Sequence, residues 1–387
     1  MTFMSSPDRL AIVGVGHTEF GVIPEKSGTM LAVEAMRAAI ADAGLRRSDI
    51  GGVVCQPGHG YGAAGEAVLR LGLPVNFYMD MQVGGATAIL SIMCAAGAIA
   101  QGDADYVVSI YSTKARSAKV LVGGSQEETG SESVWGMFSP GARNAMRARH
   151  YLSKYDLGPE TFWPVVSNQR GHANKRPDAM MHDRLIALED YRDSPWVAEP
   201  FRRFDYCMMN DGAAAFVITT ESRAADLPKK PVLVLGSGVA HAARRTTRGG
   251  TDYDSDLDAF IHDAREKAFG EAGVDRSGVD LAEFYDPFSI YPIMQIEAYG
   301  WCGPGEGSAF YRDGHGALGG VLPVNTHGGH LSWGYVQGYG PIIEGVRQLR
   351  GEGGDTQVSN ASVALVTGSG EGSAGSPAYG NLILGLV

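Results

Sequence analysis

The chain is poor in cysteine, in positive charge and in long apolar runs, and each shortage removes a class of protein. Its four cysteines, Cys55, Cys94, Cys207 and Cys302, stand far apart in 387 residues with no Cys-x-x-Cys pair. That spacing argues against a disulfide framework or a zinc ribbon and makes a reducing cytoplasm the expected compartment. Lys and Arg number 32 against 43 Asp and Glu, a formal charge of −11, so a general nucleic-acid binder with a basic face is not expected. The longest apolar stretch, around 95–100, is broken by Gly97, Gln101 and Asp103, so no bilayer span is expected. Residues 1–9 are polar and lack the apolar segment of a secretory leader.

Glycine is what the chain has in excess: 54 residues, about twice the usual ~7%. No Gly-X-Y period accompanies it and only 18 residues are proline, which excludes collagen and Pro-rich disorder. With hydrophobic residues at 44%, the glycines are expected to serve tight turns inside a globular protein.

Apolar strands alternate with helical periods along the first half. Leu10 to Gly16 reads as a buried strand running into a glycine turn, and residues 29–43 as a helix stopped by Gly44. Strands are expected at 53–55, 76–81 and 105–110, and Gly84-Gly85 opens an Ala/Ile helix closed by Gly102. The pattern then restarts. Residues 231–238 form a second strand into a glycine turn, 256–272 a second helix, and Ala272-Gly-Val-Asp-Arg-Ser277 mirrors Ala43-Gly-Leu-Arg-Arg-Ser48. A second glycine-rich stretch, 328–340, opens a helix over 341–350. The repeat predicts an α/β fold of two related halves, 1–228 and 229–387. Residues 115–205 do not fit it and read as an inserted loop region over one face.

The segments 11–20 (AIVGVGHTEF), 210–215 (NDGAAA), 283–289 (EFYDPFS), 325–338 (NTHGGHLSWGYVQG) and 368–372 (GSGEG) resemble, in order and over nearly the whole chain, the thiolase superfamily in its SCP2-type, lipid-transfer-protein-like branch. The resemblance implies a thiolase fold: duplicated βαβαβαββ halves stacked in five αβαβα layers. It also implies where acyl-transfer residues would stand, and here they are replaced. Gln82 occupies the position of the nucleophilic cysteine, Tyr335 that of the Gly-His-Pro histidine, Tyr285 the Asn/His position of the second half, and Val366 that of the tail cysteine. Cys94-Ala-Ala-Gly97 imitates the thiolase Cys-Ala-Ser-Gly but falls about ten residues into the helix, away from the helix end that lowers a thiol pKa, and is expected to be core.

A scaffold that keeps two glycine-rich turns and two helix N-termini around a thioester oxygen, without a nucleophile, suits enolate chemistry. The reading is therefore a retro-aldolase. It cleaves a β-hydroxyacyl-CoA, of the 17-hydroxy-20-carboxyl-CoA steroid side-chain type in the branch it resembles, to a ring ketone and propionyl-CoA. Tyr335 and Tyr285 are the expected acid/base pair, with their roles unassigned. Gly84, Gly85, Gly334 and Gly370 are expected at the thioester oxygen. Gln82, His327 and His330 are candidate substrate contacts, with loop ordering the alternative role for the two histidines. Asp286 and Asp211 read as structural, and Arg244, Arg245 and Arg248 as a solvated face. No His/carboxylate spacing suggests a metal, and no cofactor is expected beyond the CoA thioester, which is the substrate. The competing reading is a non-catalytic acyl-CoA carrier or scaffold subunit.

The resemblance further implies a homodimer through the first-half sheet. It also implies a DUF35 partner, an OB fold with a zinc ribbon, associated with a MaoC-like hydratase. Trp135, Tyr151, Tyr155, Phe162 and Trp163 of the inserted region are candidate contacts for such a partner.

Overall fold

The computed structural model describes residues 8–58, 64–120, 139–241, 253–370 and 378–386. The first half runs β1 (Leu10–His17), α1 (Gly28–Asp42), β2 (Gly52–Gln56), α2 (Gly65–Leu71), β3 (Phe77–Asp80), α3 (Thr87–Gln101) and β4 (Val107–Thr113). The inserted region follows with α4 (Pro140–Lys154), α5 (Trp163–Asn174), α6 (Leu188–Asp193) and a small hairpin, β5 (Trp196–Ala198) and β6 (Phe201–Arg202). β7 (Gly212–Thr220) and α7 (Glu221–Ala224) complete the half. The second half contains β8 (Val232–His241), α8 (Tyr253–Ala272), β9 (Leu281–Glu283), α9 (Ile290–Ala298) and α10 (Gly307–Arg312). It ends with α11 (Gly329–Ser332), α12 (Tyr339–Arg350), β10 (Val363–Ser369) and β11 (Ala378–Gly385).

Nine strands form one sheet in the order β3-β2-β4-β7-β1-β8-β11-β10-β9. It is two half-sheets joined by two residue pairs only, Ala11–Leu233 and Ile12–Val232. Outward from that junction both halves repeat one pattern: two antiparallel pairings and then a parallel one. The halves are unequal at the far edge. The first has β3, whereas the second has an isolated bridge between Ala282 and Val324.

Helices α3 and α12 touch strands of both half-sheets, α1 lies on the outer face of the first and α8 on that of the second. That gives the five layers. Alternating side chains separate them: in β7, Ala214, Phe216 and Ile218 face the central helices while Ala213, Ala215 and Val217 face α1. Among the described residues, one helix, the stretch Gly84–Gln101 that includes α3, is long and apolar enough to cross a membrane. One face of it, with Ile89, Ile92, Ala95 and Ile99, is buried in the core, while Leu90, Met93 and Cys94 are only half-buried.

The glycines of the strand starts serve contact instead of turns. Gly14 and Gly16 lie within β1, and a Cβ on either would collide with the backbone of α1 at Ala39. Gly236 and Gly238 in β8 admit Ala268 and Ala264 of α8 in the same way. Helix ends do use left-handed glycine as expected, at Gly44 (φ 71°), Gly102 (φ 78°) and Gly351 (φ 77°).

The described part of the inserted region, from residue 139 onward, is also not a loop. Its helices bury Ala145, Ala148, Tyr151, Leu152, Phe162, Val165 and Val166 against α8 and the outer face of β10 and β11. The reason is that α4 has a narrow apolar stripe within a basic sequence, and the stripe finds its partners in β5 of the same region and in α8 of the second half. Tyr151 and Phe162 are therefore core residues and not partner contacts; Tyr155 and Trp163 are half-buried against the same core. Trp135 and the three arginines at 244, 245 and 248 lie outside the described residues.

Candidate active site

Helices α3 and α12 open from the same backbone motif. Isolated bridges Val83–Gly85 and Val336–Gly338 precede them, with Gly84 at φ 55° and Gln337 at φ 54° in the middle. Gln82 and Tyr335 are thus equivalent positions of the two halves. Gln82 is exposed on its loop, while Tyr335 is half-buried. The motifs meet at one point, since a Cβ on Gly338 or on Gly368 would press on the Gly85 carbonyl. Gly370 packs in the same manner against the Val83 carbonyl.

Tyr285 lies on the loop that follows β9. Its N–H donates to Thr367 Oγ1 at 2.8 Å, and its carbonyl accepts from Gln295 Nε2 at 2.9 Å. The ring lies directly over Gly85, where no side chain could be accommodated. Tyr335 is held from the other half. Asn210 Oδ1 accepts from its N–H at 2.7 Å and Asn210 Nδ2 donates to its carbonyl at 3.3 Å, so one carboxamide fixes both backbone groups. The two hydroxyls consequently stand 3.0 Å apart, and Tyr285 Oη reaches Gln337 Oε1 at 3.3 Å. Burial pushes both phenols well above the ordinary tyrosine value, so both carry their protons at neutral pH.

The remaining predicted residues fall into two groups. Gly84 and Gly370 lie at the convergence of the loops. For Gly85 and Gly334 the lack of a side chain already has a steric reason, since they make room for the rings of Tyr285 and Phe20. His327 and His330 are fully buried, which leaves neither open to a substrate. His327 Nδ1 lies 2.9 Å from Glu283 Oε2; burial opposes its charging, but Glu283 and Glu344 outweigh this and raise its pKa. His330 Nδ1 lies 2.6 Å from Asp286 Oδ1, and Nε2 meets the Gln337 carbonyl. Asp286 also accepts from the His330 N–H at 2.8 Å and the Leu331 N–H at 3.3 Å, the capping role expected of it.

No cysteine offers a nucleophile. All four are free, and burial raises every thiol, Cys207 and Cys302 to about 12. Among the described residues no three His, Cys, Asp or Glu side chains gather as a metal site requires. Sequence reasoning missed Asn210 as the anchor of Tyr335, and it missed the inserted region's hold on the same loop. Met180 N–H donates to the Trp333 carbonyl at 2.9 Å, and Arg170 Nε to Ser332 Oγ at 3.1 Å.

Comparison with known proteins gives the family. Residues 251–378 match the family described as thiolase C-terminal domain-like. The whole chain is similar to the 17-hydroxy-3-oxo-4-pregnene-20-carboxyl-CoA lyase of Mycobacterium tuberculosis, 32% identical over 93% of this chain and 96% of the relative. The chain belongs to the aldolase branch of the thiolase superfamily. A second member of the branch, the steroid side-chain-cleaving aldolase of Thermomonospora curvata, is 32% identical over 94% of this chain and 96% of its own. The solved structure of the Ltp2-ChsH2(DUF35) aldolase superposes with a TM-score of 0.85 at 32% identity, covering 98% of both chains.

Proposed function

We propose that the protein is a carbon–carbon lyase, cleaving a β-hydroxyacyl-CoA by a retro-aldol reaction that uses no cysteine. The observation that carries the proposal is the 3.0 Å contact between the Tyr285 and Tyr335 hydroxyls, at the meeting point of two helix-opening loops. The 32% identity to a lyase and to an aldolase supports the same class, and a steroid side-chain thioester as the substrate type.

Two protonated phenols in contact perform this reaction without a standing phenolate. One oxygen takes the β-hydroxyl proton while its own proton passes to the second tyrosine, and the second delivers a proton to Cα. The Cα–Cβ electron pair passes into the thioester as an enolate, which that proton quenches. A ketone and a shortened acyl-CoA leave, and the pair is restored. Backbone N–H groups at Gly84, Gly85 and Gly334 are assigned to the thioester oxygen, where preorganised donors lower the barrier for a developing oxyanion; the Gly370 N–H, expected there too, is instead engaged by the Ala378 carbonyl at 2.6 Å. Gln82, exposed beside them, is assigned to substrate contact.

The same reading includes partners. The open edge of β3, with Tyr78 and Met79 exposed, supports a homodimer through the first half-sheet. Similarity to an aldolase structure named with a DUF35 protein supports a DUF35 partner; a MaoC-like hydratase that supplies the β-hydroxyacyl-CoA belongs to the same proposal on chemical grounds alone. Four free cysteines fit a cytoplasmic location.

The test is incubation of the purified chain, alone and with a DUF35 partner, with a 17-hydroxy steroid side-chain CoA thioester. Ring ketone and propionyl-CoA in equal amounts are expected. Binding without product under both conditions would leave a carrier or scaffold subunit as the function.

A further inference from the structure

The His330 ring joins the two loops that carry the tyrosines. Asp286, its partner at 2.6 Å, directly follows Tyr285 in the chain. Gln337, whose carbonyl meets the other ring nitrogen, lies two residues beyond Tyr335. The ring also meets both phenols edge-on, with centroids 5.0 Å from Tyr285 at 67° and 5.3 Å from Tyr335 at 69°. It is fully buried, so both nitrogens are spent inside the protein.

What the histidine holds is not a relaxed backbone. Gln337 adopts φ 54°, a conformation that costs a non-glycine residue about 1 kcal/mol or more. Its side-chain oxygen nevertheless has to stay beside Tyr285, 3.3 Å from the hydroxyl. A bond from His330 to the Gln337 carbonyl opposes relaxation of this residue. The bonds from Asp286 fix the histidine in turn, through both its ring and its backbone N–H. An apolar side chain of equal size would fill the space but would break the ring's bridge, leaving Asp286 to the backbone N–H groups of 330 and 331 and the Gln337 carbonyl without its ring partner.

We propose that His330, backed by Asp286, is a positioning residue that sets the hydroxyl-to-hydroxyl geometry of Tyr285 and Tyr335. It touches no reacting atom and acts through the two phenols. The inference rests on the retro-aldolase reading for its kinetic consequences and on the structure alone for its geometric one. Misplacing an acid/base group by about 1 Å costs on the order of 10²-fold in rate, so a bridge between the two loops is a point of high leverage.

The test uses His330→Phe, which keeps an aromatic ring and removes both ring nitrogens, in the full chain with its partner. The expected result is a kcat lower by about 10- to 100-fold with KM changed no more than about twofold. Tyr285→Phe combined with His330→Phe should be no slower than Tyr285→Phe alone, because both changes remove one unit. A wild-type kcat, a loss confined to KM, or losses that multiply in the double variant would each overturn the proposal. An activity-free readout separates it from the functional reading: the ¹⁹F resonance of 3-fluorotyrosine placed at 335. His330→Phe should move that resonance, and an unmoved line overturns the proposal whatever the activity. If the wild type makes no ketone but the resonance moves, the retro-aldolase reading fails and the positioning role stands. Should His330→Phe not fold, His330→Gln carries the same measurements.

Discussion

The ring of Tyr285 occupies the space that any side chain at Gly85 would need. A Cβ there would overlap the ring's outer carbons and come within 2.7 Å of the hydroxyl oxygen. Glycine at 85 is therefore a condition for the phenol pair, independent of any donor role for its N–H. Gly85→Ala should displace Tyr285 from Tyr335 and lower kcat by about 10²-fold or more. Steady-state kinetics beside a thermal melt checks this, since the loss of turnover should far exceed any loss of stability.

Replacing either phenol tests the relay itself. Tyr285→Phe and Tyr335→Phe should each lower kcat by at least ~10²-fold, and near-wild-type rates in both would remove them from the mechanism. The pH dependence follows from the direction of the shifts. The relay needs both protons in place, and burial raises both phenols above the ordinary ~10. A kcat profile should therefore stay flat from neutral pH to about pH 9, with its alkaline limb beyond. An alkaline loss centred below pH 9 would contradict the relay.

The raised phenols also link to stability. Below about pH 10 neither the folded nor the unfolded chain ionises them, and their contribution is fully present. Above that pH the unfolded chain loses these protons first, so stability falls as pH rises toward the folded values. Chemical denaturation at pH 9 and pH 11 should show less of this loss for a Tyr285→Phe/Tyr335→Phe variant than for the wild type.

Two glycine substitutions should act in opposite directions. A Cβ at Gly238 would strike the Ala264 carbonyl, where α8 lies on β8, whereas at Gly97 inside α3 it would meet nothing within 4 Å. Gly238→Ala should cost about 3 kcal/mol or more by overpacking. Gly97→Ala should stabilise by about 0.5–1 kcal/mol through helix propensity. Equilibrium denaturation of the two variants decides it.

That contrast marks what the sequence could and could not disclose. Gly44, Gly102 and Gly351 were legible as helix stops because each follows an amphipathic period. Gly14, Gly16, Gly236 and Gly238 looked like turns because a contact glycine and a turn glycine are alike in one dimension. A finer signal was present: Ala35, Ala39 and Ala43 in the first half, and Ala264, Ala268 and Ala272 in the second, form small-residue stripes four apart. Those stripes are what the strand glycines receive. At the site, the two tyrosines could be placed by position in the repeat. Asn210 could not, because it holds Tyr335 across 125 residues of chain. His330 and His327 read as residues that either order the loop or face a ligand, and both are buried against carboxylates, which leaves the ordering role. Burial of a histidine beside Asp286 or Glu283 depends on tertiary packing that spacing does not encode.

The absence of covalent catalysis is tested most directly by cleavage in D₂O without free coenzyme A. Retro-aldol chemistry needs no acceptor thiol, so wild-type protein should release ring ketone and an acyl-CoA carrying one deuteron at Cα. A dependence on added coenzyme A, or an acyl group trapped on Cys55, Cys94, Cys207 or Cys302, would contradict the account.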